Sequence, residues 1–224
     1  MSGALREKLQ AIQPELAKAY GRPRWQAKRA SGLEELVSCI LSQSTTDLNR
    51  DRAYDNLRAR FPTWQEVVDA PAAAVIEAVR SAGLANQKGP RIQALLRHVH
   101  QERGEYDIEF LGDLPLEEAR EWLLSLVGVG PKTAAIVLCF SFNRAALPVD
   151  THVHRVALRL GLIPAKTSAD RAHGLLEELV DAADHYAFHL QLIRHGREVC
   201  SARSPQCTVC TLREHCDYLV ALEA

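Results

Sequence analysis

Residues 123–138 read LLSLVGVGPKTAAIVL. Apolar residues at helical spacing run up to Gly128-Val129-Gly130, and Pro131 then opens a second apolar run. Proline suits a first helical turn because the N–H it lacks would be unpaired there anyway. The stretch is predicted to be two helices joined by a tight glycine hairpin. The two glycines permit positive φ and leave no side chain in the way, so backbone N–H groups at the start of the second helix can approach a phosphate. An ordinary turn between antiparallel helices has the same appearance. A helix rather than a strand leads into the glycines, which argues against a dinucleotide fingerprint, and the G-x-x-x-x-G-K spacing of a P-loop is absent.

Outward from the hairpin the same helical period recurs, at i, i+3 and i+4, with little of the alternation that marks strands. Helices are predicted near 3–20, 33–43, 47–60, 63–69, 72–81, 87–102, 115–127, 131–142, 152–161, 168–182 and 185–199. Asp47, Thr63, Pro71 and Pro115 mark starts as residues that cap or pre-form a first turn. Most of these helices are too short to stand alone, so they are expected to pack as an all-α bundle. The 224 residues, 47% of them hydrophobic, can bury a core without disulfides. The N-terminal MSGALREKLQ has no apolar run to serve as a signal peptide, and no stretch reaches the ~18 apolar residues of a membrane span. A soluble, cytoplasmic protein is expected, nucleoid-associated if bacterial, with its six cysteines in a reducing compartment where clusters of them bind metal more often than they pair.

The formal net charge of −1 neither supports nor excludes nucleic acid, because phosphates are met by local charge. Arg22, Arg24, Lys28 and Arg29 surround Trp25, and Arg194, Arg197, Arg203 and Arg213 lie around the C-terminal cysteines. Taken alone, these read as two solvated surfaces.

Cys200, Cys207, Cys210 and Cys216 follow C-x6-C-x2-C-x5-C, four thiolate ligands in one short irregular segment. Such a closed set leaves no coordination position open, which suits a structural role. Zinc fits less well, since zinc ribbons normally show two C-x2-C knuckles and one is present here. Cys39 and Cys139 sit alone in apolar helices and read as core.

Lys132 falls in the first turn after the hairpin, where the positive end of the helix dipole disfavours an ammonium. It reads equally as a nucleophilic amine or as an exposed phosphate contact. Asp150, in Pro148-Val149-Asp150-Thr151-His152, precedes a helix and reads as its N-cap, ionised at neutral pH. A capping carboxylate can also serve catalysis.

LVGVGPKTA, then PVDTHVHRV, then the four cysteines, in that order, resemble the endonuclease III family of helix-hairpin-helix DNA glycosylases, over about Leu33 to Tyr218. The resemblance implies a helix-hairpin-helix DNA glycosylase fold: a six-helix barrel domain, 33–144, and a discontinuous iron–sulfur domain, 1–32 with 145–224, with DNA in the groove between them. It makes Lys132 the catalytic lysine, Asp150 the catalytic aspartate and the four cysteines the ligands of a [4Fe-4S] cluster. It also makes Leu84, in Gly83-Leu84-Ala85-Asn86, a wedge that enters the base stack. Gly128, Val129, Gly130, Thr133, Asn86, Gln43 and Ser44 are the further expected DNA contacts. The implied activity removes oxidised pyrimidines from duplex DNA through a lysine imine and cuts 3′ to the abasic site by β-elimination. The expected partner is duplex DNA with a damaged base or an abasic site, bound by a monomer, with no membrane involved.

One departure stands out. The family commonly reads L-S-x-Q-A/T-x-D where Leu41 to Asp47 reads LSQSTTD, so Ser44 stands at the usual Gln position and Gln43 comes one place early. Ser44 is too short to fill the gap left by a flipped nucleotide. Leu84 is therefore expected to wedge alone, and abasic DNA to be cleaved better than intact lesions are excised. The alternatives are the adenine-mismatch branch, which usually lacks the lysine and carries a further C-terminal domain, and a catalytically weak damage-binding paralogue.

Overall fold

Helix starts in this chain are set by side chains that accept the N–H groups a first turn leaves unpaired. In the computed structural model, which describes residues 3–26 and 30–223, Ser31 and Thr63 form capping boxes with Glu34 and Glu66. Thr46, Asp150 and Ser168 each accept from one or two N–H groups of the turn they head. The resulting helices are α1 (Gly3–Tyr20), α2 (Gly32–Ser42), α3 (Asp47–Arg60), α4 (Trp64–Asp69), α5 (Ala72–Ala78), α6 (Ala85–Arg103), α7 (Leu116–Ser125), α8 (Pro131–Ile136), α9 (Thr151–Arg159), α10 (Ala169–Leu179), α11 (His185–Glu198) and α12 (Asp217–Glu223). The described residues contain no strand, so the all-α expectation holds. None of their helices is long and apolar enough to cross a membrane.

Three local expectations change. Thr46, not Asp47, is the N-cap of α3: its hydroxyl accepts the N–H of Asn49, and Asp47 falls in the first turn, where a carboxylate suits the dipole. The helix expected over 131–142 leaves α geometry after Ile136 and continues as a π-helical turn, Val137–Ser141. The segment after the cysteines closes into α12, which carries too little apolar period to be read from sequence.

The chain divides into two units, Lys28–Arg144 and Met1–Ala27 with Ala145–Ala224. In the first, α2 contributes Leu33, Leu36, Val37 and Ile40 to a core shared with Leu57, Ile92, Leu96 and Val137, all at most 1% exposed. Each such side chain contributes about 1.5–3 kcal/mol by leaving water. In the second, Ile12 and Leu16 of α1 join Val153, Val156, Leu176, Phe188 and Leu192, and Cys200, Cys210 and Cys216 pack against this core. The sequence-distant N-terminus is therefore part of the body that holds the cysteines.

Candidate catalytic and metal-binding residues

At the hairpin, Gly128 takes φ +85°, so the positive φ expected of both glycines belongs to it alone; Gly130 is extended at φ −104° and stands at the N-cap of α8 without a capping side chain. A Cβ on Gly130 would meet nothing within 4 Å, whereas one on Gly128 would come within 2.3 Å of Arg91 Cδ. The α8 N-terminus is thus bare. Lys132 projects from it exposed to solvent. The side chains of Val129 and Thr133 are buried, 7% exposed each, so only main-chain groups of these two could meet DNA. Below lies Cys39, which donates to Glu35 Oε1 at 3.7 Å. Burial pushes its thiol well above the usual range, the Glu35 carboxylate adds to this, and the Lys132 charge pulls the other way. Cys39 therefore stays a protonated core residue.

Leu84 sits in the left-handed region, at φ 49° and ψ 30°, at the head of α6, and is 52% exposed. An apolar side chain held in solvent by a strained backbone is costly twice over, a pattern that marks functional positions. Ser44 is also left-handed, at φ 54°, and exposed. Gln43 is the extended C-cap of α2 and is half-buried, its Oε1 accepting from Arg91 Nη1 at 2.8 Å. Asn86 is exposed on the first turn of α6. Sequence reading missed Arg91 and Lys88. Lys88 is 1% exposed, and its Nζ donates to the carbonyls of Leu41 at 2.7 Å and Ala82 at 2.8 Å. Burial lowers its pKa, and the two acceptors are carbonyls at the C-terminal ends of helical turns, where a cation is favoured. It also missed the exposed apolar Leu48 and Val127, 69% and 66% exposed.

Asp150 belongs to the other unit. Its Oδ1 accepts the N–H groups of His152 at 2.9 Å and Val153 at 2.8 Å, and Oδ2 accepts none from the described residues. One oxygen caps α9 and the second is left for other chemistry, so the two readings of Asp150 are compatible. From the opposite half of α9, Arg155 and Arg159 reach the cysteine segment. Arg155 donates to the carbonyls of Gly196 and Cys200. Arg159 donates to those of Ser201 and Ala202, and from Nη1 to Cys200 Sγ at 3.2 Å. Its guanidinium also lies 4.5 Å over the Tyr218 ring.

Cys200, Cys207, Cys210 and Cys216 line one cavity, together with apolar side chains such as Val156, Leu160 and Val199. Among the described residues no three His, Cys, Asp or Glu side chains close on a single-ion position. Four thiols around one cavity supply the donor set of a zinc ion or of an iron–sulfur cluster alike. His195 faces the cavity: Tyr20 Oη lies 2.9 Å from Nδ1, and Nε2 lies 3.7 Å from Cys210 Sγ. Burial pushes the His195 pKa down to about 4, and whichever ring nitrogen carries the proton sets the direction of both contacts. Of the charges near the cysteines, Arg194 pairs with Glu198 and Arg213 with Glu214. In the N-terminal group, Arg22 and Arg24 are exposed, while Lys28 and Arg29 lie outside the described residues.

Residues 37–182 match the family described as HhH-GPD superfamily base excision DNA repair protein. The chain is 31% identical to an endonuclease III of Thermotoga maritima over 94% of this chain and 92% of that one. It is 35% identical to a putative DNA glycosylase of Arabidopsis thaliana over 79% of this chain, and the match spans 60% of that longer protein. Among solved structures it is similar to a trapped endonuclease III–DNA covalent intermediate, with a TM-score of 0.84 and 26% identity, over 98% of this chain and 99% of that one.

Proposed function

Because this chain belongs to the HhH-GPD superfamily of base excision DNA repair proteins, we propose that it is a DNA glycosylase with an associated lyase step, acting on oxidised pyrimidines in duplex DNA. The observation that carries the reading is the exposed Lys132 at a bare helix start, directly after Gly130, which leaves the head of α8 open. A bare N-terminus offers N–H donors to a phosphate next to the nucleotide under attack.

In this mechanism the damaged nucleotide leaves the stack, at an unpairing cost of a few kcal/mol, with Leu84 entering the space. The neutral amine of Lys132 attacks C1′, the N-glycosidic bond breaks, and the base departs with the bonding electrons and takes up a proton. The nitrogen loses a proton, and its lone pair then forms the C1′ imine as the C1′–O4′ bond breaks and O4′ takes up a proton. Loss of a C2′ proton sends electrons into the imine and expels the 3′ phosphate, which cuts the strand. The Oδ2 of Asp150 stabilises positive charge on the sugar or carries a proton, while Oδ1 keeps α9 capped.

The cysteine set fits a [4Fe-4S] cluster held by Cys200, Cys207, Cys210 and Cys216, which when bound organises the C-terminal segment and donates nothing to the bond-breaking steps. Arg159 supplies a hydrogen bond to the ligand sulfur of Cys200.

Borohydride trapping on abasic duplex tests the reading. Wild type forms a covalent adduct and Lys132→Ala forms none, while still binding an abasic-site analogue, because most of the affinity comes from phosphate contacts elsewhere. Undiminished trapping by Lys132→Ala would show another amine to be the nucleophile.

A further inference from the structure

Residues 146–149 lead into the Asp150 cap buried and outside any helix, so their backbone groups have no helical ladder and need other partners. Two helices of the same unit supply them. On α10, His173 and Glu177 stand one turn apart and hold Leu147 from both sides: Glu177 Oε1 accepts its N–H at 2.9 Å, and His173 Nδ1 lies 3.1 Å from its carbonyl oxygen. On α11, His189 Nδ1 lies 2.7 Å from the carbonyl oxygen of Pro148, a residue whose φ is fixed and which has no N–H to place. The chain is thereby pinned at two consecutive residues just before Val149 and Asp150.

The partners also set the rings. A carbonyl oxygen only accepts, so Nδ1 carries the proton in both His173 and His189. Both rings are buried, 5% and 3% exposed. The start of α9 does not depend on them, because Asp150 Oδ1 accepts from His152 and Val153 and the Asp150 carbonyl accepts from His154. The cap fixes Oδ1, whereas the path by which the chain arrives fixes where the Asp150 backbone, and with it Oδ2, is held.

Resting on the repair reading above, we propose that His173 and His189 are positioning residues for Asp150, their Nδ1–H groups holding the Leu147 and Pro148 carbonyls so that Oδ2 keeps its place during base release. Both act through Asp150 rather than on the substrate. Misplacing a reacting group by about 1 Å costs on the order of 10²-fold in rate. Loss of either hydrogen bond therefore slows the chemical step and leaves DNA binding, which rests on phosphate contacts, unchanged.

The test is single-turnover base release by the cluster-loaded protein, with binding to an abasic-site analogue and thermal unfolding measured alongside. His173→Leu and His189→Leu remove the donor, and each is expected to slow release about tenfold or more with binding unchanged. His189→Asn, whose amide N–H stands where Nδ1–H stood, is expected to recover most of the rate. In an Asp150→Asn background the Leu changes are expected to cost almost nothing further, because the carboxylate they serve is gone. Equal slowing in both backgrounds would overturn the proposal, as would a folded His189→Leu that releases base at the wild-type rate. Where a Leu variant does not fold, the same cycle is run with Gln, whose longer side chain cannot put its N–H where Nδ1 stood. Ring nitrogen chemical shifts of the wild type need no variant at all: Nδ1–H is expected in both histidines, and a proton on Nε2 alone in either would overturn the proposal. Failure of the repair reading is distinguishable, because it appears as absent imine trapping in the wild type.

Discussion

Nη1 of Arg159 donates to Sγ of Cys200 at 3.2 Å, from the last turn of the helix that Asp150 caps. Hydrogen bonds to ligand sulfurs favour the more negatively charged, reduced cluster. Arg159→Met is therefore expected to lower the reduction potential of the loaded protein, by something on the order of tens of millivolts. It should leave the iron content unchanged, because all four cysteines remain. Voltammetry with iron analysis checks this, and an unchanged potential would mean that the contact is lost once the cluster is bound.

Anaerobic purification should give a brown protein with about four irons per chain, as four cysteines around a cubane require. Zinc without iron would refute the assignment. Cys207→Ser is expected to leave the segment after Glu198 accessible to protease, since that segment rests on the ligands and on the carbonyl contacts from Arg155 and Arg159. Limited proteolysis with mass mapping reads this directly.

Asp150→Asn keeps an oxygen for the N–H groups of His152 and Val153 but removes the charge. Base release is expected to fall about 10²–10⁴-fold, the usual worth of a positioned acid–base group, with almost no change in unfolding temperature. Asp150→Ala should show the same kinetic loss and in addition lose about 1 kcal/mol of capping. Equal turnover by wild type and Asp150→Asn would make the aspartate structural only.

Much of this arrangement is legible in the sequence because it is local. The Thr63 cap, the Gly-x-Gly hairpin and the cysteine spacing are each set within a few residues, and the predicted helices fall within a few residues of those observed. What sequence hides is non-local. Arg91 meets Gln43 across 48 positions and Lys88 meets Leu41 across 47, and a lysine at that spacing reads as a solvated face of α6. The π-helical turn after Ile136 is hidden too, since an apolar run carries no mark of its backbone register.

Lys88→Met should test the largest of these hidden contacts. The change removes a buried charge but leaves the carbonyls of Leu41 and Ala82 without their donor, at about 1–3 kcal/mol per orphaned group. A net loss of about 2 kcal/mol is expected, or roughly 4–8 °C in unfolding temperature for a chain of this size. Calorimetry checks it; a variant as stable as wild type would show that water replaces the ammonium.

Ser44 provides the sharpest contrast between sequence and structure. From spacing alone, Ser44→Gln should restore a gap-filling amide and raise excision of a paired lesion while leaving abasic-site cleavage unchanged. In the structure the neighbouring Gln43 already carries that amide, fixed by Arg91, and Ser44 holds φ at 54°, a region that costs L-residues roughly 1–2 kcal/mol. A long side chain added there gains no anchor comparable to Arg91 and pays rotamer entropy to be placed. Ser44→Gln is therefore expected to leave paired-lesion excision within about twofold of wild type, the change expected of a surface side chain worth under about 0.5 kcal/mol. Ser44→Gly should relieve the left-handed backbone and raise the unfolding temperature slightly. Single-turnover rates on a paired oxidised pyrimidine and on an abasic site separate the two accounts. A several-fold gain for Ser44→Gln on the paired lesion alone would return the gap-filling role to position 44 and leave Gln43 as a structural partner of Arg91.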